Sequence, residues 1–447
     1  MNNPPNKLGS MPIGRLLISM SIPMMISFFI QALYNMVDSM FVARISEDAL
    51  TAVSIALPMQ QIITAIGVGT GVGVNALVPR YLGQGQQEKS LRIANVAVLL
   101  SLCYTIFFFL VGLTCVRGYY TMQTDVSSIV EAGTDYLTII CMVSVGAFFG
   151  QNFEKLLVAT GNTLYSMLSQ ASGAIFNIIF DPLLIFGIGP FPEMGVKGAA
   201  LATVLGQIFA AIVAFCFLRK KEKTIRLRFR YMLPSLSILK ELFSIGIPSM
   251  ITVGLTSAMS FCLNQILLGF STTATAVFGI WLKLQNFAFM PVFGMNNGTI
   301  PIISFNYGSG RLDRVKKTVK LALTLALTLE LLLLLIFELI PVPLLGLFSA
   351  SETMLGIGTT ALRICCISLP FGAVAVILSS SFQSLGRSRF TLAVNLCRQL
   401  IFIVPIAFLM SLTGRLELIW TAAPLAELLS MVLAILLWKK MRNMLDM

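Results

Sequence analysis

The chain has 447 residues, 57% of them hydrophobic and 11% charged, with a formal net charge of +12. A soluble chain of this size carries about 25% charged residues, so the deficit excludes a water-soluble globular protein and points to a bilayer. The surplus of Lys and Arg is no nucleic-acid signal, because these residues stand in short loops between apolar blocks without aromatic interleaving.

The opening stretch, 1–15, is polar and includes Pro4 and Pro5. The apolar block that follows is long and carries no cleavage site, so it reads as a first membrane span and not as a signal peptide. Blocks long enough to span occur at 16–43, 50–78, 93–116, 132–158, 164–188, 195–218, 241–269, 274–304, 318–340, 355–381, 388–412 and 418–438. Twelve transmembrane helices are expected, six in each half.

The second half repeats the first at a fixed offset. Seven glycines fall on glycines: Gly69 on Gly294, Gly73 on Gly298, Gly83 on Gly308, Gly85 on Gly310, Gly133 on Gly358, Gly161 on Gly386 and Gly189 on Gly414. Chance would give about one such coincidence. Pro23 falls on Pro248. A duplicated membrane chain is the plan of a secondary transporter.

With the N-terminus in the cytoplasm, twenty-four Lys and Arg lie on the cytoplasmic side, among them Lys223 in the cluster from Arg219 to Lys240. Five lie opposite: Arg44, Arg117, Lys197, Arg363 and Arg415. Both termini are therefore expected in the cytoplasm. An even number of helices per half makes the repeats parallel, related by a pseudo-two-fold axis along the membrane normal. The expected organisation is an N-terminal six-helix lobe at 1–218, a basic cytoplasmic linker at 219–240 and a C-terminal six-helix lobe at 241–447.

The residues exclude much chemistry. Histidine is absent, so proton chemistry rests on carboxylates. There is no phosphate loop of the GxxxxGK[ST] type and no catalytic triad or zinc-type cluster, so neither an enzyme nor a cofactor is expected. The run Gly67-Val-Gly69-Thr-Gly71-Val-Gly73 lies inside an apolar span and reads as close helix packing. The eight cysteines read as small core residues.

Acids inside spans are costly and therefore informative. Asp38 lies about 22 residues into the first span, or roughly 33 Å at 1.5 Å per residue. Gln31, Tyr34, Asn35 and Asp38 share a helical face, too polar to meet lipid. Asp181 lies about 17 residues into the fifth span, roughly 26 Å, with Asn177 one turn earlier. Thr203 comes to the same level from the sixth span. These oxygens suit Na⁺, or a proton shared between carboxylates. The repeat partners of Asp38 and Asp181 are Leu263 and Ile406, so the C-terminal lobe lacks both acids. Glu330 and Glu338 in the ninth span read as structural, Glu338 near the outer end. Glu154 reads as a local pair with Lys155. Lys283, deep in the eighth span beside Gln285, either faces a central cavity or pairs with a buried acid, and Arg398 is its possible analogue. The 23 Met and 32 Phe suit an adaptable cavity for organic cations.

The chain resembles the multidrug and toxic compound extrusion (MATE) family along essentially its whole length. The resemblance rests on Ile22-Pro23 followed by Asp38, and on Asn177-Ile-Ile-Phe-Asp181-Pro182-Leu-Leu-Ile-Phe-Gly187. It rests also on Gly198-Ala-Ala-Leu-Ala-Thr203 and Phe382-Gln-Ser-Leu-Gly386-Arg387-Ser. The N-lobe acids are similar to the DinF-like branch, and the phrase from Lys283-Leu-Gln285 through Phe305-Asn306-Tyr307-Gly308 is similar to the MepA-like bacterial group; the seventh span has no interior acid, unlike the NorM type. The resemblance implies an all-α, V-shaped fold that opens alternately inward and outward. It implies export of cationic or amphipathic drug-like compounds from the cell (inner or plasma) membrane in exchange for H⁺ or Na⁺. It assigns the cation, Na⁺ included, to Asp38, Asn177, Asp181 and Thr203, and a bend in the first helix to Pro23. Gln31, Tyr34, Asn35, Lys283 and Gln285 are candidates for the substrate cavity. A monomer in the lipid bilayer is expected, without nucleic acid. The alternative is a flippase of lipid-linked oligosaccharide or other lipid from the same superfamily.

Overall fold

The computed structural model describes residues 6–222, 224–233, 235–348 and 351–445; Lys223 of the basic cluster lies outside them. Among the described residues all regular structure is helical. The first half contains α1 (Ile13–Ala43), α2 (Glu47–Gly83), α3 (Gln87–Thr114), α4 (Ser127–Met142), α5 (Val145–Ala159), α6 (Thr163–Phe186) and α7 (Val196–Lys221). The second contains α8 (Leu236–Leu268), α9 (Thr272–Gly308), α10 (Leu312–Leu339), α11 (Glu352–Cys366), α12 (Ser368–Ser384), α13 (Ser388–Ser411) and α14 (Leu416–Met444). Ten of these are each long and apolar enough to cross a bilayer. The pairs α4–α5 and α11–α12 pass only together, bent by 45° and 41°, and counting each as one span gives twelve. Continuous apolarity over 132–158 and 355–381 does not register these bends. In the second, Pro370 stands in the first turn of α12, where it can start a helix but not continue one from α11.

The repeat governs the backbone in detail. Helices α2 and α9 begin and end at the repeat offset from one another, as do α3 and α10. Ser46 and Ser271 cap α2 and α9 in the same way, each accepting from the N–H three residues on at 3.0 Å. Gly85, Gly161 and Gly189 and their partners Gly310, Gly386 and Gly414 all have φ between +71° and +87°, a region that side chains with a Cβ avoid. Other glycine pairs make room. Gly133 lies flush against the Tyr120 ring, and its partner Gly358 receives Leu345, the partner of Tyr120. Ser27 donates to the Pro23 carbonyl at 3.0 Å, and its partner Thr252 donates to the Pro248 carbonyl at 2.9 Å. A proline in a helix removes one backbone donor, and a hydroxyl bonded to a backbone carbonyl favours local bending.

The chain divides into two compact units, one of residues 22–246 and one of residues 1–21 with 247–447. Both divisions fall immediately ahead of a helix proline, Pro23 in α1 and Pro248 in α8. Within the unit of residues 1–21 and 247–447, the segment just ahead of Pro23 is firmly tied. Arg314 Nη2 donates to Met11 O at 2.7 Å, and Arg311 Nη1 to Gly9 O at 2.7 Å. Gly298 lets the Met20 backbone come close; a Cβ there would lie 3.0 Å from Met20 C. In the other unit the start of α8 packs equivalently, with Leu242 O 3.0 Å from a Cβ built on Gly73. Lys89 pairs with Glu241 at 2.7 Å, and the Arg228 N–H donates to Asn95 Oδ1 at 2.7 Å, so the basic segment before α8 is bonded into the unit of residues 22–246.

The glycine pairs predict a contrast in stability. Gly133→Ala forces a methyl into the Tyr120 ring, whose hydroxyl is held by Ala52 O at 2.7 Å, and should cost about 1–3 kcal/mol. Gly118→Ala, in a short helix with open space around it, should be neutral or stabilise by up to about 1 kcal/mol. Thermal unfolding of the detergent-purified protein measures both, and equal Tm values would contradict the packing.

Candidate cation site

Helices α6 and α7 approach unusually closely, and this approach builds the site. Gly173 and Gly206 face one another: a Cβ on Gly173 would lie 2.8 Å from Gly206 O, and one on Gly206 3.0 Å from Gly173 O. Small residues at such a crossing let two backbones meet. One turn along α6 from Gly173, Asn177 is thereby pressed against α7. One end of its amide lies 3.1 Å from Asp181 Oδ2 and the other 3.3 Å from the Thr203 backbone nitrogen. The amide is satisfied at both ends when its nitrogen donates to Asp181 and its oxygen accepts from the Thr203 N–H. Thr203 thus reaches the site through its backbone.

Asp181 is fully buried. The Asp38 carboxyl, carried in from α1, faces it within hydrogen-bonding reach. Asp38 Oδ1 is sealed from solvent and takes no bond from an N–H or hydroxyl among the described residues. Tyr34 and Tyr136 stand within electrostatic reach of both acids, and Gln60 Nε2 donates to the Tyr136 hydroxyl at 3.0 Å. Next to the pair lies a cavity of about 1200 Å³ lined by Gln31, Tyr34, Asn177 and Thr203 among others. Asn35, on the same helix, is exposed and is not part of that lining.

The cavity has further polar walls that sequence reasoning did not connect to it. Gln151, Glu154 and Lys155 on α5 and Gln170 on α6 line it. The glycine run of α2 accommodates this face of α5: Cβ atoms on Gly67 and Gly71 would meet Gln151 Oε1 at 2.5 Å and Lys155 Cγ at 2.7 Å. Glu154 accepts from Gln170 Nε2 at 2.8 Å, a bond across to the next helix in addition to its electrostatic interaction with the neighbouring Lys155. The signal available in the sequence was the shared spacing of Gly67/Gly71 and Gln151/Lys155, both one helical turn.

The remaining candidates lie elsewhere. Gln285 lines a separate cavity in the unit that contains 247–447. The Lys283 ammonium is exposed and stands 5.8 Å from the Phe348 ring centroid, and Lys283 lines neither cavity. Glu338 pairs with Arg363 at 3.8 Å. Glu330 is fully buried, and neither of its oxygens has a hydrogen-bond partner among the described residues.

Twelve spans in two repeats, with intramembrane acids beside an internal cavity, define a secondary transporter. The MatE family signature matches residues 23–183 and again 248–409, and the chain belongs to this family of multi-pass membrane transporters. It is 24% identical to the multidrug export protein MepA of Staphylococcus haemolyticus (strain JCSC1435), over 96% of this chain and 94% of that one. It is 26% identical to an FAD transporter of Shewanella oneidensis, over 94% and 93%. Among solved structures, an outward-facing multidrug resistance MATE family transporter of the MOP superfamily aligns with a TM-score of 0.93 at 24% identity, over 100% of this chain and 99% of that one. A MOP superfamily transporter from Pyrococcus furiosus, described as having a binding pocket of reverse polarity, aligns at 0.91 and 24% identity, over 100% of both chains.

The α6–α7 crossing gives a prediction that removes no polar group. Gly206→Val places methyls against Gly173 O and the Asn177 Cβ, which a Cβ already approaches to 3.3 Å. It should separate Asn177 from Thr203 and lower ion-driven flux in proteoliposomes by about tenfold or more, since each displaced polar contact costs about 1.4 kcal/mol or more. Flux equal to that of the unmodified chain would mean the crossing does not position the site.

Proposed function

We propose that this protein exports cationic or amphipathic organic compounds across the cell (inner or plasma) membrane by alternating access, in exchange for a cation taken up at Asp38 and Asp181. The observation that carries the reading is the pair of carboxyls, facing one another in the apolar interior of a transporter. Ionised carboxylates only accept hydrogen bonds, so a bond between two of them requires a proton. Buried like charges repel, and a bound cation removes both the repulsion and the cost of desolvation.

The donor set favours H⁺ as the coupling ion. Na⁺ asks for oxygen ligands, yet the satisfied Asn177 amide turns its nitrogen to Asp181 and its oxygen to the Thr203 N–H. For Na⁺ the amide would have to rotate and give up the Thr203 bond. In the proposed cycle a cation enters from outside and neutralises the pair. Packing of α1 around Pro23 changes, affinity for the bound compound falls, and the compound leaves outward. One H⁺ moving down a 100 mV potential supplies about 2.3 kcal/mol, enough for roughly a 50-fold gradient of an uncharged compound; for a monovalent cation exchanged one for one the potential cancels, and ΔpH supplies the drive.

The decisive measurement is flux of a fluorescent organic cation such as ethidium from proteoliposomes, with ΔpH and ΔNa⁺ imposed separately. Flux is expected under ΔpH and should fall at least about tenfold in Asp38→Asn and in Asp181→Asn, because a carboxamide cannot exchange the proton. Undiminished flux in both variants would remove the pair from coupling, and flux under ΔNa⁺ alone would replace H⁺ by Na⁺. One relative is named an FAD transporter and another a multidrug export protein, so FAD is to be run alongside ethidium; the cation is expected to be the better substrate. The orientation has its own test. With native cysteines replaced, Arg415→Cys should react with a membrane-impermeant maleimide added to intact cells and Arg226→Cys only after lysis. The reverse pattern would invert the topology.

A further inference from the structure

The unit of residues 1–21 and 247–447 contains a cavity of about 950 Å³. It is the repeat counterpart of the cavity beside the acids. Met259, Phe293 and Arg398 line it, and their repeat partners in the first half, Tyr34, Val68 and Gly173, line the other. The charge, however, is inverted. Where the first cavity adjoins two carboxyls, the second presents a guanidinium.

Arg398 sits in a π-turn, Cys397–Phe402, inside α13, whereas the equivalent stretch of α6 is ordinary α-helix. Such turns widen a helix locally and recur at functional sites. Arg398 Nε donates to Glu427 Oε1 of α14 at 2.6 Å. The guanidinium carbon lies 5.4 Å from the Phe289 ring centroid. Gly372 makes this arrangement possible: a Cβ there would lie 2.7 Å from Phe289 Cζ and 3.3 Å from Arg398 Nη2. Thus an aromatic shelf, a glycine and a carboxylate together orient one arginine.

The pair's unmet bonding capacity points one way. Arg398 has five N–H donors, and only Nε–H is bonded to protein among the described residues. Its side chain is 14% exposed, into the cavity it lines. Glu427 Oε2 also lacks a partner among those residues, but it is sealed from solvent. Glu427 also lines the cavity, but its Oε1 is engaged by Arg398 and its Oε2 is sealed, so the unengaged Nη donors are what the pair offers an entering molecule. The planar fork of Nη1 and Nη2 matches the two oxygens of a carboxylate. Trp281, Phe293 and Trp420 form further walls, suited to a flat ring.

We propose that this cavity is a second organic-ligand site, for a flat aromatic molecule bearing a carboxylate or similar planar oxyanion, with Arg398 holding the anion and Phe289 and its aromatic neighbours the ring. The site does not depend on the acids at Asp38 and Asp181, and it stands whether or not they couple transport.

The test uses the full chain in phosphatidylcholine nanodiscs. The chain has three tryptophans, and Trp438→Phe leaves Trp281 and Trp420, both in the cavity wall. Their emission is titrated with anthracene-9-carboxylate, and then with 9-anthracenemethanol and 9-(aminomethyl)anthracene, which share the ring and change the charge. The carboxylate should quench saturably and bind at least about tenfold more tightly than the amine. Arg398→Gln combined with Glu427→Gln keeps the polar contact without charge; it should remove this preference and leave the alcohol unchanged. Asp38→Asn should alter none of the three titrations. Equal affinity for acid and amine, a preference for the amine, or retention of the acid preference in the double variant would each overturn the proposal. The three-ligand comparison on the unmodified binding site decides it even if the double variant does not fold.

Discussion

A carboxylate inside a bilayer protein is tolerated only when something compensates its charge, and Asp38 and Asp181 are set in the interior of one unit with little that does. Around them the protein supplies one amide nitrogen, from Asn177, and two tyrosines in electrostatic reach. The ion pairs described in the protein involve other acids. In the proposed cycle the compensation is left to a small cation that comes and goes. Much of the surrounding structure serves this arrangement. The Gly173–Gly206 crossing brings Asn177 to Thr203, and the glycine run of α2 makes room for the polar face of α5. Asp38 arrives on α1, the helix whose backbone ladder is interrupted at Pro23. In the proposed cycle a change of charge at Asp38 acts on a helix that already lacks one backbone hydrogen bond.

The duplication shows how one backbone carries two kinds of chemistry. The limits of α2/α9 and α3/α10, the Ser46/Ser271 caps and three pairs of positive-φ glycines recur at the repeat offset, so the repeat is kept in the backbone. Side chains at the equivalent cavities diverge. Gly173 permits the close α6–α7 crossing, while its partner Arg398 occupies a widened turn and reaches Glu427. A glycine at one position and an arginine at its repeat cannot share a packing role. One half narrows the gap between helices, and the other opens it.

The sequence announced the fold through patterns that physics makes robust. Span number follows from apolar length; three of the seven coincident glycine pairs adopt a positive φ that only glycine takes without strain, and Gly73/Gly298 and Gly133/Gly358 make room for a close neighbour. The bends within α4–α5 and α11–α12 were not legible, because a bent helix and a straight one are equally apolar. The candidate acids were legible one at a time, each as a cost within a span. Helical periodicity placed Asn177 beside Asp181, but it could not show that Thr203 contributes a backbone N–H or that Asn35 turns out of the cavity. Lys283 and Gln285 are two residues apart on α9 and so point in different directions; only Gln285 lines a cavity. Glu427 was the acid overlooked. It stands mid-span like Asp38 and is open to the same reasoning, but its partner Arg398 lies 29 residues away on another helix, and pairing across helices carries no sequence period.

Glu330 offers the sharpest contrast to these acids. It is as buried as Asp181, yet none of the described groups bonds it and it lines neither cavity. Burial alone therefore does not single out the carboxyl proposed to take up the cation. What sets Asp181 apart is a second carboxyl facing it, an amide fixed from the other side and an open volume adjoining both. Arg398 meets the same three conditions with the sign reversed: an oriented charge, a fixed partner and a cavity. By that measure the two proposed sites fall one in each repeat, and Glu330 belongs to neither.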